Sequence, residues 1–209
     1  MLECYAYYKD TPGGGLRWGT LVTGGGDLRV VGNAVLKNPG SASPVQGLFS
    51  QREDGRMEFT LDATMLALAE LFCLEERGGS VRLFNLFDVR DVDPDHALCR
   101  LDGESCMDGD IAYQIAALPG VPTYLGWGDL WKNPVLIDKA RRIFEVALPY
   151  SPYLEVPMEN NPFFHPLYLM RYGRKRADCE SMIQAFSKCQ KRKRVRQKEP
   201  SADRLPERT

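Results

Sequence analysis

The sequence lacks the closely spaced cysteine and histidine pairs that form most structural metal sites. Six cysteines are spread over 209 residues without a C-x-x-C pair, and the only histidines are His96 and His165. Structural zinc sites usually need such pairs, so we expect no bound metal. The cysteines are expected to be free thiols in a reducing compartment.

Long apolar runs and phosphate-binding loops are also missing. No stretch of eighteen apolar residues occurs, and the first ten residues have neither the basic segment nor the apolar core of a signal peptide. We therefore expect a cytoplasmic protein with no membrane contact. No G-x-x-x-x-G-K-[ST] motif is present and no G-x-G-x-x-G follows a strand, so we expect no organic cofactor.

Charge is unevenly distributed, although the net charge is only −1. Residues 171–198 contain eleven Lys or Arg against Asp178 and Glu180, a local balance of +9, so the rest of the chain carries −10. An acidic body with a strongly basic segment suggests a polyanionic partner. The basic run 188–198 taken alone is compatible with DNA, RNA or no partner.

The order of strand and helix patterns predicts an α/β fold. We expect a three-layer α/β/α domain over residues 28–187 with a central, mostly parallel sheet. A β-hairpin over residues 1–27 is expected to pack on this domain, and a basic tail over residues 188–209 to be disordered. Strands are predicted over 3–8, 16–23, 30–36, 80–87, 121–126 and 151–156, and helices over 60–77, 95–98, 110–118, 133–147 and 177–188.

The first candidate site lies where the strand over residues 30–36 ends, at Asn38-Pro39-Gly40. Pro39 has no amide to donate, Gly40 can adopt a positive φ, and Asn38 is extended because it precedes proline. Ligands of parallel α/β sheets bind beyond the carboxyl ends of strands, so Asn38 is a candidate site residue. The alternative interpretation is a tight turn with no further role.

Three later stretches repeat this arrangement of polar or aromatic residues at a strand end. They are Phe84-Asn85-Leu86-Phe87, Gly126-Trp127-Gly128 and His165-Pro166-Leu167-Tyr168. With Asn38-Pro39-Gly40 and Asp93-Pro94, this succession resembles a bacterial and phage family known as domain of unknown function 1643. The resemblance covers roughly residues 28–172 and implies no function.

The same succession is similar, more weakly, to the uracil-DNA glycosylase superfamily, and the N-P-G motif is closest to its mismatch-specific and single-strand-selective branches. The stretches that carry this similarity are Asn38-Pro39-Gly40, Gly47-Leu48-Phe49-Ser50, Asn85, Trp127-Gly128 and His165-Pro166-Leu167. The resemblance implies a uracil-DNA glycosylase-like fold and hydrolysis of an N-glycosidic bond.

That resemblance gives two residues catalytic roles. Asn38 would position the attacking water through its side-chain oxygen, and His165 would donate a hydrogen bond to the base oxygen where negative charge develops. An amide cannot accept a proton as a carboxylate does, so the base must be a good leaving group. We therefore expect a damaged or modified base. Asp88, Asp91 or Asp93, with His96 close behind them, could supply the missing carboxylate.

Further residues are expected to bind the base and the DNA. Asn85 could read the edge of a pyrimidine-like ring and Phe49 could stack on its face. Leu169 and Met170 could fill the gap left by a flipped nucleotide. Four basic residues could neutralise phosphates: Arg171, Arg174, Lys175 and Arg176.

Each of these residues also has a structural interpretation. Asn85 could make a hydrogen bond to a neighbouring loop, and His165 could be a satisfied loop histidine. Phe49 and Trp127 could be core residues, and the basic residues 171–176 a solvated turn.

The functional prediction is a DNA glycosylase that removes a modified or damaged base, with a possible role in phage defence. Its expected partner is DNA, and the sequence predicts no protein partner. Two alternatives stay open: a hydrolase or transferase acting on free modified nucleosides or nucleotides, and a nucleic-acid-binding module without catalysis.

Overall fold

A computed structural model describes residues 1–11, 15–45, 51–91, 93–100, 108–128, 130, 133–147 and 153–154. The strands are β1 (Leu2–Lys9), β2 (Leu16–Gly24), β3 (Val30–Leu36), β4 (Met57–Phe59), β5 (Gly79–Asn85), β6 (Thr123–Leu125) and β7 (Tyr153–Leu154). The helices are α1 (Ala63–Leu71), α2 (Leu74–Arg77), α3 (Pro94–Cys99), α4 (Ile111–Ala116) and α5 (Pro134–Arg142), which continues as a π-helical segment (Ile143–Ala147). None of the helices in these ranges is long and apolar enough to span a bilayer.

The seven strands form one mixed sheet in the order β4-β1-β2-β5-β3-β6-β7. The pairs β5·β3, β3·β6 and β6·β7 are parallel, whereas β4·β1, β1·β2 and β2·β5 are antiparallel. The prediction of an α/β fold is confirmed. The prediction of a mostly parallel sheet is wrong because the hairpin strands and β4 contribute three antiparallel pairs to the same sheet.

The N-terminal hairpin is part of this sheet, not a unit packed on it. β1 and β2 pair over most of their length, from Leu2 opposite Gly24 to Lys9 opposite Leu16. β2 then pairs with β5, in register from Thr20 opposite Leu83 to Gly24 opposite Gly79. The short strand β4, which the sequence pattern did not predict, covers the outer side of β1.

Helices cover both faces of the sheet and create two apolar cores. The first core, on face one of the sheet, joins α1 and α2 to alternate strand residues such as Val22, Leu36 and Leu83. The second core, on face two, joins α3, α4, α5 and the π-helical segment to residues such as Val35 and Phe84. This alternation follows the two-residue period of a β-strand.

Local chemistry explains where the helices begin and end. Asp62 caps α1 by accepting the Met65 N–H at 2.9 Å. Asn133 caps α5 in the same way. The helix predicted over residues 60–77 is broken, because Cys73 adopts a left-handed φ of 55° between α1 and α2.

Close packing of α1 against the sheet requires a glycine in β3. A Cβ placed at Gly32 would lie 2.1 Å from the Phe72 ring, at the end of α1. Only a residue without a side chain fits there, so the aromatic ring rests directly on the strand backbone.

Candidate functional site

The carboxyl ends of the parallel strands bring the predicted strand-end residues to one edge of the sheet. Asn85 ends β5 and lies in register with Leu36, the last residue of β3. The pairing continues beyond the strands, because the Leu86 N–H donates to the Leu36 carbonyl at 2.9 Å. Asn38 therefore follows β3 directly beside the end of β5. This edge is where α/β proteins bind ligands.

The Asn38 side chain is half-buried and held in one orientation. Its Nδ2 donates to the carbonyl oxygen of Asp91 at 2.8 Å. Within the described ranges no hydrogen bond to its Oδ1 is found, so the acceptor half of the amide remains available. Gly40 has a φ of +71° and turns the chain just beyond.

Two arginines hold the segment that follows Asn38. The Arg17 guanidinium, from β2, donates to the Pro39 carbonyl. Arg90, which follows β5, donates from Nε to the Ala42 carbonyl at 2.6 Å and from Nη2 to the Ser41 carbonyl at 3.0 Å. The segment from Pro39 to Ala42 is thus fixed by side chains from two other parts of the sheet, which keeps Asn38 in a set position.

Asn85 is buried with unsatisfied polar atoms. The residue is 3% exposed, and neither its Oδ1 nor its Nδ2 has a hydrogen-bond partner among the described residues. The alternative interpretation is that Asn85 makes a structural hydrogen bond to a neighbouring loop. No described loop residue makes this bond. Buried amides in folded proteins almost always have partners, so Asn85 is a candidate residue for binding a ligand.

The ladder between β2 and β5 opens next to Asn85. Thr20 pairs with Leu83, but the next pairing is between Leu16 and Val89, so three residues of β2 lie opposite five of the other strand. Such irregularities bend a strand away from its neighbour and are frequent next to active sites. The end of β5 consequently follows β3 and leaves a gap toward β2.

The Asp108 carboxylate fills this gap. Its Oδ1 accepts the Gly19 N–H of β2 at 2.7 Å. Burial raises the pKa of Asp108 to about 6, and the nearby backbone N–H groups of Gly19 and Asn85 oppose the shift. The sequence did not single out Asp108, because it is one of many acidic residues in a segment rich in Asp and Gly.

The acidic residues proposed as a second source of a carboxylate mainly stabilise the loop after β5. The Asp91 carboxylate contacts His96 Nδ1 at 2.6 Å and Arg100 at 3.5 Å. A hydrogen bond from the Asp93 N–H, together with His96, lowers the pKa of Asp91. Asp93 accepts the His96 N–H in the first turn of α3. Asp88 is buried, and its carbonyl accepts the Arg17 N–H at 2.9 Å.

Trp127 has a packing role at this edge. It is 2% exposed, belongs to the second core and meets Phe144 edge to face with ring centroids 6.0 Å apart. Its burial agrees with the interpretation of Trp127 as a core residue.

Several predicted site residues lie outside the described residues. They are Phe49, His165, Leu169, Met170, Arg171, Arg174, Lys175 and Arg176. Their roles stay predictions. In the ranges that are described, no group of three or more His, Cys, Asp or Glu residues could hold a metal ion.

Comparisons with protein-family models, with curated proteins and with solved structures found no match. The candidate site therefore depends on the geometry of this chain and on the motif resemblances given above.

Proposed function

We propose that this protein is a DNA glycosylase with a uracil-DNA glycosylase-like fold, which hydrolyses the N-glycosidic bond of a modified or damaged base. The observation that carries the proposal is the buried, unsatisfied amide of Asn85 beside the oriented amide of Asn38. One amide is suited to reading the edge of a base, and the other to holding a water at the sugar.

Base reading by Asn85 follows from its hydrogen-bonding capacity. The amide offers one acceptor and two donors, which match the alternating N–H and C=O groups of a pyrimidine-like ring. Because the Asn85 amide is already desolvated in the free protein, pairing with a base requires no further desolvation of this side chain. A base with a different arrangement of hydrogen-bond donors and acceptors would leave the buried Asn85 amide unpaired, so it would bind more weakly.

Water positioning by Asn38 follows from its hydrogen bond to Asp91. With Nδ2 donating to the Asp91 carbonyl, Oδ1 is directed elsewhere and can accept a hydrogen bond from water. The bond breaks through an oxocarbenium-like sugar, which a weakly activated water can trap once the base departs. The leaving ability of the base therefore decides which bases react, and a damaged or modified base is favoured.

The remaining roles come from the motif resemblance. His165 would donate to the departing base, Phe49 would stack on it, and Leu169 and Met170 would occupy the space of the flipped nucleotide. The basic residues 171–176 and the acidic body of the chain suit a partner that approaches from one side. A role in phage defence would follow if the base is a phage modification.

An abasic-site assay tests the proposal directly. The full chain is incubated with DNA from unmodified and base-modified phages, and alkali then cleaves the DNA wherever a base was removed. We expect strand breaks on one modified DNA. Asn38→Ala and Asn85→Ala should each reduce the rate of base removal by about 100-fold or more. This factor is the lower end of the range for loss of a group that positions water or transfers a proton.

Asn33→Ala is the matched control for these variants. Asn33 is a buried amide in the middle of β3 whose two ends are already satisfied, by Thr123 at 3.3 Å and Arg82 at 2.9 Å. This variant should lose stability but keep its rate when assayed below its melting temperature. No breaks on any DNA with salt-sensitive binding retained would instead indicate a binding module. Absence of both would redirect attention to free nucleosides.

A further inference from the structure

Arg17 is a buried cation without a counter-ion in contact among the described residues. The residue is 2% exposed, its guanidinium donates from Nη2 to the Pro39 carbonyl, and it lies over the Phe59 ring with 5.5 Å to the centroid. In the same ranges, Nε and Nη1 are buried without a hydrogen-bond partner, and no carboxylate lies within 4.0 Å. Two donor nitrogens of a charged side chain are thus left without a partner in the described part of the chain.

The groups around Arg17 do not neutralise it. Burial raises the pKa of the Cys4 thiol to about 12, so this neighbour is uncharged at neutral pH. Burial lowers the pKa of Arg17 and the charge of Arg90 lowers it further, whereas the Asp62 carboxylate, whose Oδ1 caps α1, opposes the shift without contacting the guanidinium. Burial of a charge without a paired partner costs several kcal/mol, so a fold keeps such a group only where something else compensates.

Arg82 shows what a satisfied arginine looks like in the same sheet. It lies in β5 on face two, where Nε donates to Asn33 Oδ1 at 2.9 Å and Nη2 donates to the Gln114 carbonyl at 2.9 Å. Arginines of this sheet can therefore have partners for their donors, and the lack of described partners for Nε and Nη1 is specific to Arg17.

The Arg17 side chain lies on face one of the sheet, where its guanidinium contacts Phe59 of the first core. It reaches the candidate site through Pro39, the residue after Asn38, whose carbonyl accepts its hydrogen bond. Asn85 alternates with Phe84 of the second core and so projects to face one with Leu83.

A third unsatisfied group lies on the same face. Thr20 is in register with Leu83, is buried, and its Oγ1 has no hydrogen-bond partner in the described part of the chain. Arg17, Thr20 and Asn85 therefore contribute five buried polar atoms without such partners, from two adjacent strands. The set is rich in donors and carries one positive charge, so it matches a planar ring with several oxygens and negative charge.

We propose that Arg17 binds the base as it departs as an anion, and that the substrate class is a base whose carbonyl oxygens carry this charge. The inference rests on the proposed glycosylase function. The C1′–N bond breaks with its electron pair moving to the base, the oxygen of the water held at Asn38 bonds to C1′, and one water proton passes to solvent. A fixed cation in a buried site stabilises the charge that forms.

Binding of free bases tests the role of Arg17 without requiring catalysis. The probes are 5-nitrouracil, which is anionic at neutral pH, and thymine, which has a similar shape and is neutral. Isothermal titration calorimetry on the full chain should give tighter binding of 5-nitrouracil by about 10- to 100-fold, the range that hydrogen bonds to a charged group provide. The ¹⁵N resonance of Arg17 Nε should shift with this probe.

Three variants test whether Arg17 causes the preference for 5-nitrouracil over thymine. Arg17→Met should abolish the preference, and Arg17→Lys should retain only part of it because lysine lacks the planar guanidinium. Arg82→Met, the same change on face two, should leave the preference intact. The inference would be overturned if the Arg17→Met variant still preferred 5-nitrouracil. It would also be overturned if the wild-type chain bound neither probe, or bound both equally. An Arg17-dependent preference without any abasic sites in DNA would leave the anion site standing and remove only the glycosylase function.

Discussion

At the scale of single residues, two asparagines in neighbouring strands differ in how many hydrogen bonds their side-chain amides make. Asn33 and Asn85 are both buried, but Asn33 has partners at both ends of its amide whereas Asn85 has none within the described ranges. A buried polar group without partners lowers the stability of the free protein, so its retention suggests that stability is exchanged for ligand binding.

Substitution by leucine should change the free energy of unfolding differently at these two residues. Asn85→Leu removes an unsatisfied amide and should leave the free energy of unfolding unchanged or raise it by about 1 kcal/mol. Asn33→Leu leaves Arg82 Nε and Thr123 without their partner and should lower it by about 1–3 kcal/mol. Urea denaturation followed by circular dichroism measures both. An equal decrease in the two variants would show that Asn85 has a structural partner.

At the scale of elements, the opening between β2 and β5 is the feature that creates the site. A carboxylate replaces part of the missing ladder pairing, because Asp108 accepts the backbone N–H of Gly19 at 2.7 Å. Its second oxygen is buried without a hydrogen-bond partner among the described residues. The charge at this position therefore opposes folding, whereas the protonated acid does not.

This arrangement predicts a pH-dependent stability. The pKa of Asp108 is raised to about 6 in the folded chain, above the ordinary unfolded value of about 3.9. Its stabilising contribution is thus fully present below about pH 4 and lost as pH rises through about 6. Asp108→Asn keeps an acceptor for the Gly19 N–H and avoids the charge, so its advantage over wild type should grow by about 2–3 kcal/mol between pH 4 and pH 7.

Chemical denaturation of both proteins across this pH range gives the difference directly. Asp110→Asn is the control, because Asp110 is paired with Arg142 at 2.5 Å and its pKa is lowered. The difference between this control and wild type should change little over the same range. A flat difference for Asp108→Asn would show that Asp108 is ionised at no cost in the folded protein.

At the scale of the whole molecule, charge is divided between an acidic body and the basic segment 171–198. The segment carries +9 and the remaining residues −10, so DNA contacts are expected to concentrate in the segment. Contacts of this kind release counter-ions, which makes affinity fall steeply as salt rises.

Replacement of the seven Lys and Arg residues in 188–198 by Gln should show how much of the segment binds phosphate. The slope of log affinity against log salt concentration should fall by about 0.7–0.9 for each phosphate that the variant no longer neutralises, as measured by fluorescence anisotropy on labelled DNA. Equivalent replacement of Arg171, Arg174, Lys175 and Arg176 provides the comparison. An unchanged slope in the 188–198 variant would place the phosphate-binding residues elsewhere on the chain.

Local sequence patterns are sufficient to predict most elements of this protein. The apolar run of β3 and the N-P-G stop are visible in the sequence because their causes act within a few residues. The same holds for the capping residues Asp62 and Asn133. The break at Cys73 could not be predicted in this way, because no local residue required it.

The position of Asn38 at a strand end likewise follows from a local chain break, whereas the predicted strand 80–87 runs two residues past Asn85, the last residue of β5, and the surroundings of neither asparagine could be predicted. Arg17 lies in a hairpin strand with no chemical motif, and it meets the candidate site only because β2 pairs with β5 and its side chain donates to the Pro39 carbonyl. Asp108 enters the site only because that ladder opens. The unsatisfied hydrogen bonds and the nearby cation therefore depend on pairing between distant strands, which no local pattern encodes.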